Sequence, residues 1–284
     1  MPPLRLSDEE AARLHALVLL QRYSLGLDRV AESALGNRGT DSLDLQVLLT
    51  IDKLHDGGPS EVVAALGLPR STVSRGLARL LDERLVVRGT HPVDRRRAEL
   101  RLTELGRRGV QRFERSLADY YVQGEPLVKE VMHLLGRRPE RVAARQHRVE
   151  VREVAERQAS SGAAYARDVR LRMRPFGVGE ALERDTLTIL ATRRARPSNL
   201  ADELELSPAG VTSLLDRLEG LGLVVRESGG VENDLRAVLV YLTPRGRRAA
   251  RVVLETFGEH QGALLDSLEP TLGRDDYRPA AAVG

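Results

Sequence analysis

The sequence predicts a mainly α-helical fold with two small β-hairpins, made from two copies of one helix–turn–helix–hairpin block. Three observations carry that expectation. The chain from Pro59 to Arg88, PSEVVAALGLPRSTVSRGLARLLDERLVVR, returns as PSNLADELELSPAGVTSLLDRLEGLGLVVR from Pro197 to Arg226. The offset is constant, since 197 − 59, 211 − 73 and 223 − 85 all equal 138. Within each copy, apolar residues recur at helical spacing on either side of a turn. A β-branched run, a turn-rich tip and an alternating strand then follow.

Composition narrows the class. At 284 residues the chain has length for two domains. No apolar run approaches the roughly 20 residues of a membrane-spanning helix, and the start, Met1 to Glu10, lacks the order of a secretory signal. The reading is a soluble, cytoplasmic, bacterial-type protein that does not engage a membrane. Absence of cysteine excludes disulfides, thiolate metal sites and a thiol redox switch. Net charge is only +3, yet the basic residues are almost all arginine, with Lys53 and Lys129 the only lysines. Arginine suits bidentate pairing with phosphate and guanine. It equally reflects a GC-rich genome, so composition alone leaves both readings open.

The elements follow in order. Residues 7–35 open on Ser7 with Glu10 three positions on, the pattern of a capping box, and continue through Leu14, Leu17, Val18 and Leu25. Residues 41–54 give the helix before the first block. Ser60 and Ser198, each after a proline, are expected as N-caps of short helices carrying Val62, Val63, Leu66 and Leu200, Ala201, Leu204. Gly67-Leu68-Pro69 and Glu205-Leu206-Ser207-Pro208 break those helices and open the next, with Val73, Leu77, Leu80 and Val211, Leu215, Leu218 inward. Leu85-Val86-Val87 and Leu223-Val224-Val225 begin the hairpins, which return through Leu100, Leu102 and Val238, Val240, Leu242. A helix from Thr103 to about Tyr121, a break at Gln123-Gly124-Glu125-Pro126 and a short helix to Gly136 complete the first half, and the tail after Leu272 is expected to fray.

Beyond the hairpin tips the offset becomes 140. Asp94 and Asp234, Arg96 and Arg236, Thr103 and Thr243, and Gly106 and Gly246 pair at that spacing. Two residues were gained between the strands, where loops tolerate them. With the wing signature Asp-x-Arg-x-x-x-apolar-x-Leu-Thr-x-x-Gly present twice, the chain resembles the multiple-antibiotic-resistance regulator (MarR) family of winged-helix transcription factors. That resemblance implies a DNA-binding regulator, not an enzyme. It implies that Asp94 and Asp234 brace the wings by pairing with a nearby arginine, and that a small effector, often aromatic, is sensed. Family members are usually half this length and dimerise through terminal helices. Here residues 1–136 and 137–284 would form two fused modules with readers at 59–103 and 197–243. The chain then acts as a monomeric pseudo-dimer, with a homodimer as the alternative.

The second helix of each block is expected in a major groove. Double-stranded DNA is thus the expected partner. In the first block the candidates are Arg70, Ser71, Thr72, Ser74, Arg75 and Arg79, with Arg95, Arg96 and Arg97 at the wing reaching the minor groove. For Arg79, a carboxylate or phosphate contact at the helix end is the competing assignment. In the second block Ser207, Thr212, Ser213, Arg217 and Arg236 are the candidates. Charge separates the copies. Residues 59–103 hold nine Arg and five acids, net +4; residues 197–243 hold three Arg and eight acids, net −5. The second block should therefore bind DNA more weakly, or serve as a protein-interaction or self-association module.

Residues 137–174 hold eleven arginines and are expected to form a connecting helix with Arg138, Arg141, Arg145, Arg148 and Arg152 on one face. That face is either solvated and paired with Glu150, Glu153 and Glu156, or a ridge on phosphates. No phosphate-binding loop occurs, and the six histidines show no metal-ligand spacing. No cofactor, metal site or catalytic residue is expected.

Overall fold

The computed structural model describes residues 6–35, 42–55, 57–90, 98–138, 150–228 and 238–273. These are mainly helical, with two antiparallel two-stranded sheets. In chain order the elements are α1 (Asp8–Leu35), α2 (Ser42–Leu54), α3 (Pro59–Leu66), α4 (Arg70–Asp82), β1 (Val86–Thr90), β2 (Ala98–Leu102), α5 (Glu104–Leu134), α6 (Val151–Met173), α7 (Ala181–Thr192), α8 (Pro197–Leu204), α9 (Pro208–Gly220), β3 (Val224–Ser228), β4 (Val238–Leu242) and α10 (Pro244–Leu268). The order from α2 to α5 recurs from α7 to α10.

The described residues divide into two compact units. One holds 23–124 with 150–152; the other holds 6–22, 125–138 and 153–273. The partition therefore differs from a cut at residue 136. Both α1 and α5 run across a unit boundary, so 6–22 and 125–136 group with the second block.

In the unit built on 23–124, the inward residues of α4 are Val73, Gly76, Leu77 and Leu80, the i, i+3, i+4, i+7 pattern that lines one helical face. They join Val47, Leu48, Ile51, Val62, Leu85, Val86 and Leu100, all almost fully buried. Each such leucine or valine contributes about 1.5–3 kcal/mol of transfer free energy. The hairpin pairs Val86 with Leu102, Arg88 with Leu100 and Thr90 with Ala98. The other unit repeats the plan with Val211, Leu215 and Leu218 of α9 and Leu200, Leu223, Val224, Val240 and Leu242 in the core. Its hairpin pairs Val224 with Leu242, and Ala195 adds a bridge to Val240.

The capping box at the start of α1 forms as the sequence indicates. Glu10 N donates to Ser7 Oγ at 3.2 Å, and Ser7 N donates to Glu10 Oε2 at 2.8 Å. Three boundaries differ from expectation. Ser60 and Ser198 are not N-caps: Pro59 and Pro197 already occupy the first helical position, and Gly58 and Arg196 stand before them. Proline's fixed φ suits that position and its missing N–H is no loss there. Second, α5 does not break at Gln123–Pro126 but runs through it to Leu134. A proline inside a helix costs one hydrogen bond, about 3 kcal/mol. Tyr121, Val128, Val131 and Met132, each fully buried on the flanking turns, offset that cost. Third, the connecting helix starts at Val151, not at Arg137; Arg137, Arg138 and Glu150 are non-helical, and residues 139–149 lie outside the described residues. The tail after Gly273 lies outside them too. No described helix is long and apolar enough to cross a membrane.

Candidate nucleic-acid interface

The outer face of α4 is set by what its inner face buries. With Val73, Leu77 and Leu80 inward, Arg70, Ser71, Ser74 and Arg75 are exposed and Thr72 is half-buried at the edge. Among the described residues neither Arg70 nor Arg75 makes an ion pair, so two guanidinium groups and two hydroxyls stand on one helical face open to a ligand. Gly76 is buried against α2, where an added Cβ would come 2.9 Å from Asp44 Oδ1.

Arg79 belongs elsewhere. Its Nε donates to Asp44 Oδ2 and its Nη2 to Asp44 Oδ1, both at 2.7 Å, across to a carboxylate with no exposed surface. The carboxylate contact is the one observed, and Arg79 fixes α4 on α2. The second unit uses the same device, with Arg217 Nε donating to Glu183, a carboxylate of 1% exposure. Burial alone would push Glu183 up; the Arg217 guanidinium and the amides of Glu180 and Gly179 outweigh it and hold the carboxyl below its ordinary value. Arg217, read from sequence as a DNA contact, is thus engaged within the fold.

The Leu-Thr-x-x-Gly part of the wing signature is a clamp. Thr103 N donates to Leu85 O at 3.0 Å, its hydroxyl donates to Arg84 O at 2.7 Å, and Gly106 N donates to Thr103 Oγ1 at 3.0 Å. Arg107 closes the end by donating to Leu102 O at 3.1 Å. Thr243, Gly246 and Arg247 repeat every contact, onto Leu223 O at 3.0 Å, Gly222 O at 2.7 Å, Thr243 Oγ1 at 3.0 Å and Leu242 O at 3.2 Å. The clamp ties the last strand and the following helix to the short segment between α4 or α9 and the first strand of its hairpin, which sets where each hairpin stands beside that helix.

A family model for the MarR family matches residues 39–97, the stretch from before α2 to the residue preceding β2. This region is similar to MarR regulators. Three solved structures also match. A double mutant of ZitR from Lactococcus lactis is 28% identical over 32% of this chain and 59% of its own, with a TM-score of 0.28. YusO from Bacillus subtilis is 24% identical over 39% of this chain and 79% of its own, TM-score 0.31. A MarR-family transcriptional regulator from Silicibacter pomeroyi is 22% identical over 42% of this chain and 87% of its own, TM-score 0.29. This chain thus spans a little under two thirds of the ZitR chain. No curated protein matches it.

In the MarR-like stretch, Asp94, Arg95, Arg96 and Arg97 lie outside the described residues, as do Asp234 and Arg236 of the second hairpin. On α9, Ser207 is the N-cap and accepts from Gly210 N at 3.1 Å, while the Thr212 hydroxyl donates back to Pro208 O at 2.8 Å. Both are exposed, as is Ser213. Of the arginine stripe, Arg141, Arg145 and Arg148 lie outside the described residues. Arg152 is committed: it donates to Asp52 at 2.8 Å and to Glu114 at 2.5 Å, partners other than the glutamates of its own segment. Arg137 pairs with Asp266 at 2.6 Å and Glu269 at 2.9 Å. Sequence reasoning missed Arg88, exposed on β1 and without an ion pair among the described residues. Comparison with Arg226, its counterpart 138 residues on, is the signal that finds it.

Among the described carboxyl groups, one apart from the helix face is strongly perturbed. Asp185 of α7 is pushed up to about 6 by burial, against the lowering effects of Arg184 and of Gln21, whose Nε2 donates to Oδ1 at 2.9 Å. Among the described residues, Gln21 Oε1 is buried and without a partner. A carboxyl raised on folding is bound by more protons in the native state, so its contribution to stability falls as pH rises between about 4 and 6 and stays at its lower level above. Asp185→Asn should therefore raise stability at pH 8 by about 1–2 kcal/mol and change little near pH 4. Urea titrations of both proteins at the two pH values check this; a pH-independent difference would refute it.

Proposed function

We propose that the chain is a sequence-specific, double-stranded-DNA-binding transcription regulator that reads mainly through its first block, with the second block as a fused, weaker winged-helix module in a one-chain equivalent of a dimer. The observation that carries this reading is the outer face of α4, where Arg70, Ser71, Ser74 and Arg75 are exposed and the two arginines have no acidic partner among the described residues. It lies within the stretch similar to MarR regulators. An arginine on such a face can grip guanine O6 and N7 while hydroxyls reach bases or phosphates. By resemblance the proposal includes a small effector, a cytoplasmic location and no catalysis. Asp94 and Arg96, and Asp234 and Arg236, keep their proposed wing roles.

The test is binding of the full chain to DNA fragments that it selects from a random pool. Arg75→Ala should cost about 1–3 kcal/mol at a selected site and relax the preference at one base. Unchanged affinity and unchanged preference would refute the reading.

A second reading has a specific observation behind it. Arg217 and Arg226 of the second block are both held by acids, and the outward positions of α9 carry Asp216. The second block would then serve association and leave DNA to the first. The mass of the complex on a selected site separates the two: one chain on an asymmetric site fits the fused pair, and two chains on a palindrome fit the association module.

A further inference from the structure

Arg88 and Arg226 occupy the same place in the two hairpins, 138 residues apart, each opposite the central residue of the return strand, Leu100 or Val240. Their surroundings differ. Arg226 Nε donates to Glu219 Oε2 at 3.0 Å and its Nη2 donates to Asp216, both acids being on α9. This leaves the Arg226 side chain only 25% exposed. The middle of the hairpin's first strand is therefore within side-chain reach of the outer face of α9. In the first block the positions that match Asp216 and Glu219 are Ala78 and Leu81, neither of which can hold a guanidinium. Arg88 is exposed, with no ion pair among the described residues.

We propose that Arg88 is a phosphate-contacting residue of the first block, and that Asp216 and Glu219 withdraw its counterpart Arg226 from the same role in the second. The proposal rests on the DNA-binding reading and deepens it. Two acid-for-apolar exchanges on one helix leave Arg88 as an uncompensated cation and make the Arg226 cluster net anionic, one guanidinium against two carboxylates. A guanidinium already forked onto two carboxylates gains little from a phosphate, because it must give up comparable charge-assisted bonds to take it. One without partners loses only water and releases a counterion from the DNA. The difference acts at the middle of each hairpin's first strand, apart from the base-reading positions Ser71 and Arg75.

The experiment is the slope of log affinity against log salt for the full chain on a selected duplex. Arg88→Gln should lower the slope by about 0.9, one phosphate's worth, and weaken binding to all sequences about equally. Arg226→Gln in the natural background should leave the slope unchanged. In an Asp216→Asn/Glu219→Gln background the slope should steepen, and Arg226→Gln should then lower it by about 0.9; this last comparison separates release of Arg226 from the simple removal of two negative charges. All of these side chains are exposed or at the surface, and circular dichroism of each variant checks its fold. An unchanged slope for Arg88→Gln, with Arg75→Ala still losing affinity, would overturn this proposal and leave the DNA-binding reading intact. Loss of neither would overturn both.

Discussion

Arg79→Ala is expected to cost about 3 kcal/mol of folding stability, the low end of what breaking a buried ion pair costs. The reason lies in the asymmetry of the pair. Asp44 has no exposed surface, while the Arg79 side chain is 38% exposed. Truncating the arginine leaves a carboxylate in the core without its two donors at 2.7 Å. Water admitted through the vacated, half-open side recovers part of the loss, which is why the low end applies. Arg79→Lys keeps the charge but not the fork, so an intermediate loss is expected. Urea unfolding should show a lower midpoint with an unchanged slope. A direct role on phosphates makes the opposite prediction, with stability unchanged and the salt dependence of DNA binding reduced, and the two measurements on one variant decide between them.

Much of the fold is legible in the residues, because the signals involved are local. Val73, Leu77 and Leu80 can share a face only in a helix, and Val86-Val87 followed by alternating Leu100 and Leu102 can pair only as a hairpin. The misplaced boundaries come from tertiary effects. Pro126 reads as a stop, yet the packing of Tyr121 and Met132 carries α5 through it. The grouping of 6–22 with the second block also depends on packing of distant segments, which no local pattern records. It makes a fragment ending at residue 136 a poor test of the first block, since part of that fragment packs with residues it would lack. At the candidate interface, Ser71, Ser74 and Arg75 were readable because exposure on α4 follows from helical period alone. The fate of each arginine was not. Arg79, Arg152, Arg217 and Arg226 are paired with acids up to 100 residues away, while Arg75 and Arg88 are not paired among the described residues, and only the fold distinguishes these cases.

Gly106→Ala and Gly246→Ala should each destabilise their unit by about 2–3 kcal/mol, although alanine is the better helix former. Two effects compete. Inside a helix, replacing glycine with alanine gains about 1 kcal/mol of intrinsic propensity. Against this, an added Cβ would lie 2.1 Å from Leu85 O at Gly106 and 1.9 Å from Leu223 O at Gly246, well inside contact distance. Neither carbonyl is free to retreat. Leu85 O accepts from Thr103 N at 3.0 Å and Leu223 O from Thr243 N at 3.0 Å, and each threonine hydroxyl lies 3.2 Å from the same oxygen. Relief must come from moving the helix off the strand, which costs the overpacking penalty of up to about 3 kcal/mol and a backbone hydrogen bond of about 1 kcal/mol. The clash outweighs the propensity. Gly262→Ala on α10 is the control: an added Cβ there meets nothing within 4 Å, so propensity alone should act and stability should rise by up to about 1 kcal/mol. Thermal unfolding of the three variants gives the ordering. If Gly106→Ala or Gly246→Ala proved as stabilising as Gly262→Ala, the Leu-Thr-x-x-Gly sequence would owe nothing to this close approach, and the glycine of the wing signature would need another cause.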